Sequence, residues 1–486
     1  MWLWLGRAER WELMVRSGIS RGDRGDRSQL AVGGADAVEG PVNPEVPVSA
    51  RSGVSVGVGE GLRDGQDLWE QVFAPANLVV ALERVERNRG AAGVDGVSTQ
   101  ELRDWCRQHW ADTRAALDAG TYCPLPVRQV VIPKPDGGQR KLGVPTVLDR
   151  LIQQAIAQVL TRVFDPGFVP VSYGFRSGKS AHDAVKVARL VIEQGYRWVV
   201  EVDLDAFFDR VNHDVLMARV ARKVKDKRLL KLIRRYLEAG IMADGVRQPV
   251  NEGTPQGSPL SPLLSNIMLD DFDQELWARR HRFVRYADDI RVFVKSQRAA
   301  ERVLAQSTAL LEQRLKLKVN RTKSSIVPAT TAVLLGFGFY FTASGVKIRV
   351  APKAWQRAKA RIRVLTSRKW SVSMQVRITR LNQYIRGWMG YFRLADTPRK
   401  FRDLDEWFRR RMRQIRWKEW KRSRTRVANL RARGIQANVA WQWGMSSRGY
   451  WRIAGSPILT RALPNLYWEE LGLLYFHRAW TRFQAT

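Results

Sequence analysis

Cysteine is almost absent: Cys106 and Cys123 are the only two in the chain, and neither belongs to a Cys-x-x-Cys pair. No disulfide framework and no structural zinc site can be built from them, which suits a reducing cytoplasm. Long apolar runs are missing too, and with none able to span a bilayer no membrane partner is expected. The opening MWLWLGRAERWELMV is too short and too charged to act as a secretory signal, because it lacks an uninterrupted apolar core. Acidic residues are in short supply, with 47 Asp plus Glu against 82 Lys plus Arg and a net charge of +35. An excess of that size calls for a polyanionic partner. Nucleic acid fits better than a membrane surface, since the charge is spread along the chain and interleaved with aromatics. A basic structural protein would share this charge, so charge sets a class of partner and no chemistry.

With 486 residues, 45% of them hydrophobic, the chain can bury large cores and should divide into several domains. Residues 1–67 are rich in Gly, Ser, Val and charge without helical or strand period, and read as a disordered extension. From Leu68 the spacing turns helical; the Gly-rich turn AAGVDGVS at 91–98 and a helix over 99–110 follow. Residues 124–145 (PLPVRQVVIPKPDGGQRKLGVP) read as two strands around the turn Pro135-Asp136-Gly137-Gly138. Asp149 is placed to cap a helix over 150–163, whose Leu151, Ala155, Val159 and Val163 form one apolar face.

The stretch 283–294 (FVRYADDIRVFV) sets two apolar, β-branched and aromatic runs around the pair Asp288-Asp289, which predicts a hairpin with carboxylates at its bend. Adjacent carboxylates repel, and a chain that places them between buried strands usually has a cation to receive them. A second apolar strand, WVVEVD at 198–203, ends in Asp203 and runs into AFFDRVNHD. One carboxylate from one strand and two from a neighbouring hairpin is an arrangement that holds two Mg2+ ions for in-line phosphoryl transfer. YADD with an upstream VDLDAFFD resembles a reverse transcriptase.

That resemblance implies roles for further residues. Asp203, Leu204, Asp288 and Asp289 become the metal site, with the three aspartates catalytic. Lys134 and Arg140 on the 124–145 hairpin meet the triphosphate of an incoming dNTP. Phe208 lies against its sugar, where a ring excludes a 2′-hydroxyl. Asp205 and Asp209 are assigned to a helix N-terminus instead of the metal. The loop GTPQGSPLSPLLSN (253–266), too rich in Pro and Gly for a strand, floors the nucleotide site through Gln256 and Gly257. SYGFRSGKSAH (172–182) is a Gly-rich basic loop whose Arg176 or Lys179 can hold template phosphates; the family usually has proline where Ser177 stands. An amphipathic helix over 298–317, a strand over 334–341 and a hairpin at TASG follow in the family's order. Tyr286, Lys323 and Gly336 fall on template and primer.

Beyond Pro352 the chain turns helical and strongly basic. Met374, Ile378, Leu381, Ile385, Trp388 and Phe392 recur at spacings of four and three, a stripe that reads as bundle core. Arg409, Arg410, Arg411, Arg413 and Lys418 are interleaved with Trp417 and Trp420. Guanidinium groups among stacking rings make an RNA-binding signature. The segments RLNQYIRGWMGYFRLADTP, WFRRRMRQIRWKEWKRSRTR and SRGYWRIAGSPILTRALPN resemble the thumb, or maturase, and DNA-binding regions of group II intron-encoded proteins. The HNH endonuclease often found there is not expected in this chain, which shows no paired metal ligands of that kind.

The expected architecture is α+β, a right-hand polymerase fold. Its parts are a disordered extension (1–67), a helical extension of the fingers (68–123), fingers and palm (124–350), a helical thumb or maturase bundle (351–425) and a basic C-terminal region (426–486). The expected activity is RNA-directed DNA synthesis with two Mg2+ ions, dNTPs and no zinc. Group II intron RNA, an RNA template with a DNA primer, and a DNA target are the partners, in the cytoplasm and at the nucleoid when on DNA. Two alternatives stay open: a reverse transcriptase of this family in a host role without an intron, and an RNA-binding splicing factor without polymerase activity.

Overall fold

The computed structural model describes residues 68–133, 139–243, 246–248 and 252–485. The extension 1–67, Lys134 and its turn, and the side chain of Arg140 lie outside the described residues. The chain divides into two compact units, Met1–Leu190 with Trp198–Ile326, and Val191–Arg197 with Val327–Thr486. Helices and largely antiparallel sheets are mixed, as the α+β reading expects.

In the first unit the helix Pro75–Asn88 packs along the helix Val147–Phe164, held by Asn77 Nδ2 donating to the Ala155 carbonyl at 3.0 Å. The latter helix begins three residues earlier than expected. Thr146 is its cap, accepting from the Asp149 amide at 3.0 Å. Asp149 instead lies buried inside the first turn, accepting from the hydroxyls of Tyr122 and Thr146 at 2.7 Å each. The helix predicted over 99–110 runs from Leu102 to Asp118.

Two four-stranded sheets follow. One has the order β2-β1-β4-β5, with β1 (Val127–Pro133) antiparallel to β2 (Gln139–Val144) and parallel to β4 (Ile241–Ala243), which pairs with β5 (Val246–Gln248). The other has the order β6-β7-β3-β8, from β3 (Trp198–Val202), β6 (Arg282–Tyr286), β7 (Asp289–Val294) and β8 (Ser325–Pro328). β3 runs antiparallel to β7 from Trp198↔Val294 to Val202↔Ile290. Val199, Val200 and Val202 are all buried, so β3 is covered on both faces, which is why it reads as a continuous apolar run. The helix Ser261–Ala278 packs against β6 and buries Leu264, Met268, Leu269 and Phe272. The helix expected over 298–317 ends at Ala309 and gives way to a π-helical turn, Leu310–Arg314. That wide turn keeps Leu311 and Leu315 both out of water.

The second unit opens with a sheet of order β11-β10-β9, from β9 (Val333–Leu334), β10 (Phe337–Thr342) and β11 (Gly345–Val350). The single strand expected over 334–341 is broken at Leu335 and Gly336, both with positive φ (52° and 82°). Helices Pro352–Leu365, Met374–Phe392 and Pro398–Glu419 follow, then shorter ones ending at Phe476–Gln484. Ser373 caps the middle helix by accepting from the Val376 amide at 3.3 Å. The stripe along it is core: Met374, Ile378, Leu381, Ile385 and Phe392 are buried, and Trp388 is half-buried against Phe392, Phe401 and Phe476.

Candidate active site

The end of β3 is fixed by the segment that precedes β8. Asp203 donates its amide to Ser324 Oγ at 3.0 Å and accepts from the Asn320 amide at 2.9 Å, while the Asp205 amide donates to the Lys318 carbonyl at 2.9 Å. Leu204, buried, bridges Val319. Asn320 shapes this brace by accepting from the amides of Thr322 and Lys323 at 3.2 Å each.

The predicted hairpin is present, with Tyr286 paired to Asp289 and Ala287-Asp288 as its two-residue bend. Two-residue hairpins need left-handed backbone, and Ala287 supplies it at φ 57°. Gly174 makes that bend possible from outside: a Cβ there would stand 2.2 Å from the Ala287 amide nitrogen. Asp288 is exposed at the tip, and Asp289 is half-buried beside Arg291 at 2.5 Å. Arg291 also reaches Glu201 at 3.3 Å.

These carboxylates disturb one another. Burial pushes Asp203 above its ordinary range; Asp288 and Asp205 add to the rise, and Lys323 and Arg291 oppose it. Asp289 is raised as well, chiefly by burial, with Arg291 opposing and Asp288, Glu201 and Asp203 adding. Asp205 therefore belongs to the acidic cluster electrostatically, and its ion-pair partner is Arg210 at 3.4 Å. The helix N-terminus once expected for it and for Asp209 lies further on, since the α-helix starts at His213 with Asn212 as its cap and Asp209 sits in a 3-10 turn.

A cleft of about 750 Å³ opens here, and Asp203, Asp288, Phe208, Gln256, Lys323 and Lys141 all line it. Phe208 stacks edge-on against the buried Phe207 at 5.2 Å, and its carbonyl accepts from the Thr254 amide at 2.6 Å. The loop predicted as a floor lies close against neighbouring backbone. A Cβ on Gly253 would meet the Asp209 carbonyl oxygen at 2.9 Å, and one on Gly257, at φ 110°, would meet the Gly143 carbonyl oxygen at 3.0 Å. The Gln256 carbonyl accepts from the Gly143 amide at 2.8 Å, tying floor to β2.

Other expected site residues are engaged elsewhere. Arg176, 7% exposed, pairs with Asp165 at 2.6 Å and donates to the carbonyls of Val169 and Ser172. These bonds make it an internal brace of its loop. Lys179 donates to the Pro170 carbonyl at 3.0 Å and lies over the Tyr173 ring. Gly336 belongs to the second unit, under the Phe392 ring, and Tyr391 donates its hydroxyl to the Leu335 carbonyl at 2.9 Å.

The Trp and Arg residues of the helix Pro398–Glu419 require a correction. Trp417 and Trp420 are 2% and 5% exposed and pack edge to face at 5.8 Å, so neither ring is open to a base. Arg413 is buried and donates to the Ala454 carbonyl at 2.9 Å. Arg410 lies over the Trp451 ring at 4.1 Å and donates to its carbonyl, Arg411 donates to Thr366 Oγ1, and Arg409 lies over Tyr475. These guanidiniums stitch helix to helix, because the apolar stems and planar heads suit that role. Lys418 stays exposed, though it donates to the Arg368 carbonyl.

Sequence reasoning missed Arg291, Ser324 and Lys141, and it noted Asn320 without a role. Arg291 was visible as the next same-face residue after Asp289 in a strand; the others carry only ordinary turn or surface signals.

The donor set suits a hard divalent cation in kind, offering oxygen ligands, among them carboxylates whose mutual repulsion a cation would relieve. Among the described residues no three His, Cys, Asp or Glu side chains are gathered closely enough to enclose an ion. The set is therefore an open edge of a cleft, in which Asp289 leans on Arg291.

An antiparallel sheet carrying acidic residues at one hairpin bend and one strand end, over a glycine-braced floor, is the palm of a nucleic-acid polymerase. Residues 132–339 match the family model described as reverse transcriptase (RNA-dependent DNA polymerase), and residues 355–434 match that of the group II intron, maturase-specific domain. Protein YkfC of Escherichia coli (strain K12) is 34% identical over 301 residues, covering 54% of this chain and 79% of that protein. The group II intron-encoded protein LtrA of Lactococcus lactis subsp. cremoris is 34% identical over 219 residues, covering 45% of this chain and only 36% of LtrA. A solved chain of the partial Cas6-RT-Cas1--Cas2 complex is 27% identical, covering 53% of this chain and 45% of that one, with a TM-score of 0.33. The chain belongs to the group II intron-encoded reverse transcriptase and maturase family.

Proposed function

We propose that this chain is a Mg2+-dependent RNA-directed DNA polymerase that extends a DNA primer on an RNA template, and that it also binds a group II intron RNA as a maturase, assisting splicing and insertion into a DNA target. The observation that carries the polymerase half is the meeting of Asp203 and Asp288 with Phe208, Gln256 and Lys323 on one cleft.

Asp203, Leu204, Asp288 and Asp289 would hold the metal. Two bound Mg2+ ions would lower the pKa of a primer 3′-hydroxyl and offset charge on the departing pyrophosphate. Lys323 balances Asp203 and stands where the primer end would come. The Phe208 ring, fixed by Phe207 and by the Thr254 amide, closes the space of a 2′-hydroxyl. Gln256 and Gly257 support the base pair from below, and Tyr286 borders the primer. Lys134 and Arg140 are retained as triphosphate cations, joined by Lys141 on the cleft wall; Gly336 is retained as a primer contact.

For the maturase half, the exposed cations matter more than the stitched ones. The helix Pro352–Leu365 has no acidic residue, and Lys353, Arg357 and Arg361 lie exposed along it at four-residue spacing. A row of that kind tracks phosphates. No helix among the described residues is long and apolar enough to cross a membrane, and the proposed setting is the cytoplasm, at the nucleoid during insertion.

The test is primer extension on a generic RNA template with Mg2+ and with EDTA, beside binding of a folded group II intron RNA. Extension that needs Mg2+, with intron binding that weakens in salt, is expected. Absence of extension would overturn the polymerase reading, and intron affinity no better than for unrelated RNA would overturn the maturase reading.

A further inference from the structure

Arg285 stands one residue before Tyr286 in β6, and its guanidinium is fully buried. A charge without access to water has to be met on every side. Nε and Nη2 donate to the Asp273 carboxylate at 2.8 and 2.5 Å. Nη1 donates at 2.9 Å both to Asn266 Oδ1 and to the carbonyl of Ala287. Asp273 and Asn266 lie two turns apart on the helix Ser261–Ala278, whereas Ala287 is the first residue of the acidic bend.

A second route starts from Asn266, whose Nδ2 donates to the Gly174 carbonyl at 2.9 Å. Gly174 is the residue whose lack of a Cβ leaves room for the Ala287 amide nitrogen. The strand end itself is also gripped, since the Arg285 amide donates to the Val171 carbonyl at 3.1 Å and its carbonyl accepts from the Tyr173 amide at 2.9 Å. The bend is thus held from below through its carbonyl, and the glycine that leaves room for its amide is itself tied to the same helix through Asn266. A left-handed alanine is unfavourable by itself and persists where its surroundings over-determine it.

We infer that Arg285, with Asp273 and Asn266, is a positioning device for the acidic bend, setting Asp288 and Asp289 for a divalent cation before any substrate arrives. Simple palm stability does not need this arrangement, because well-packed apolar residues replace a buried ion pair at little or no loss. What apolar residues lack is a donor for the Ala287 carbonyl. The inference rests on the polymerase reading for what the bend does, and its test separates the two.

Two variants of the full chain are compared with wild type, each well below its own melting midpoint. Arg285→Lys keeps a charge beside Asp273 but cannot fork to Asp273, Asn266 and Ala287 together. Asn266→Ala leaves the ion pair and cuts the route to Gly174, and it carries the test if Arg285→Lys does not fold. Metal binding is read without template or nucleotide, from the loss of the free Mn2+ paramagnetic resonance signal. Mn2+ affinity should fall about 10-fold or more, as for residues that orient metal ligands. In primer extension kcat should fall by a similar factor while KM for dNTP stays within about 3-fold. Mn2+ affinity within about 2-fold of wild type, with or without a loss of kcat, would overturn the inference, because the bend would then present its carboxylates without help. Wild-type protein that binds Mn2+ but makes no DNA would overturn the polymerase reading alone, and the Mn2+ comparison would still decide the role of Arg285.

Discussion

Alanine at Arg413 separates the two uses open to arginines in the helix Pro398–Glu419. Arg413 is 9% exposed, and its Nε is bonded to the Ala454 carbonyl at 2.9 Å. Truncation removes a hydrogen bond from a charged donor, about 1.5–3 kcal/mol, and leaves a buried carbonyl unpaired. With the packing of the lost stem the total is about 2–4 kcal/mol. At roughly 2–4 °C per kcal/mol for a unit of 150–250 residues, the melting midpoint falls by about 5–15 °C. The contrast is the triple variant Lys353→Ala, Arg357→Ala, Arg361→Ala, whose cations are exposed. Its midpoint should stay within about 3 °C of wild type, as surface changes generally do. Its dependence of log affinity on log salt for intron RNA should flatten by about 2–3, close to one unit per lost phosphate contact. Thermal melting and filter binding across a salt series measure both. Arg413→Ala that melts with wild type but loses the RNA would refute the stitching role, and an unchanged salt slope in the triple variant would refute the exposed-face interface.

Three further outcomes are expected. Asp288→Asn should abolish DNA synthesis while leaving intron RNA affinity within about 3-fold, because an exposed carboxylate at the bend has no part in holding phosphates; residual synthesis near the wild-type rate would remove it from the catalytic set. Phe208→Ala should let the polymerase incorporate ribonucleotides, since it opens the cleft beside the sugar, and undiminished discrimination would place the gate elsewhere. Asp405, buried where it accepts from the amides of Phe476 and His477 at 2.8 and 2.9 Å, is pushed up to about 6 by burial against the pull of those amides. Because its folded value lies above the unfolded one, its contribution is fully present below the unfolded value and is lost as pH rises through about 6. Relative to Asp405→Asn, which does not titrate there, wild type should lose about 1–1.5 kcal/mol between about pH 5 and about pH 7.5 in urea melts. A constant difference would contradict the shift.

The palm was legible because its signals are local. Alternation over 283–294 and the apolar run ending at Asp203 needed no knowledge of distant partners, and the strands formed where period and β-branching placed them. Lys323 and Gln256 were reached through resemblance, and the cleft gathers them. Arg285 was not legible. A lone arginine in a strand reads as a solvent-facing residue, and only the fold reveals that Asp273 and Asn266, two turns apart on a helix, come up beneath it. The cap of the helix Val147–Phe164 slipped for a related reason. Thr146 and Asp149 both suit a helix N-terminus, and the burial of Asp149 against Tyr122 was hidden in a residue 27 positions away.

The basic helices show where composition misleads. Along Pro398–Glu419 the residues Phe401, Leu404, Phe408, Met412 and Ile415 form one buried stripe, while Arg413, Trp417 and Trp420 continue a second at spacings of four and three. A helix covered on two faces loses the single amphipathic phase that separates core from surface. Its arginines then look free, although their stems are packed and their heads bonded to carbonyls of the same chain. The helix Pro352–Leu365 keeps one buried stripe, Ala354, Ala358, Ile362 and Leu365, and its cations fall on the opposite phase. Counting cations therefore overstates the nucleic-acid surface wherever a basic helix is buried twice. The phase of the cations relative to the apolar stripe is the better sequence guide to which of them are left for RNA.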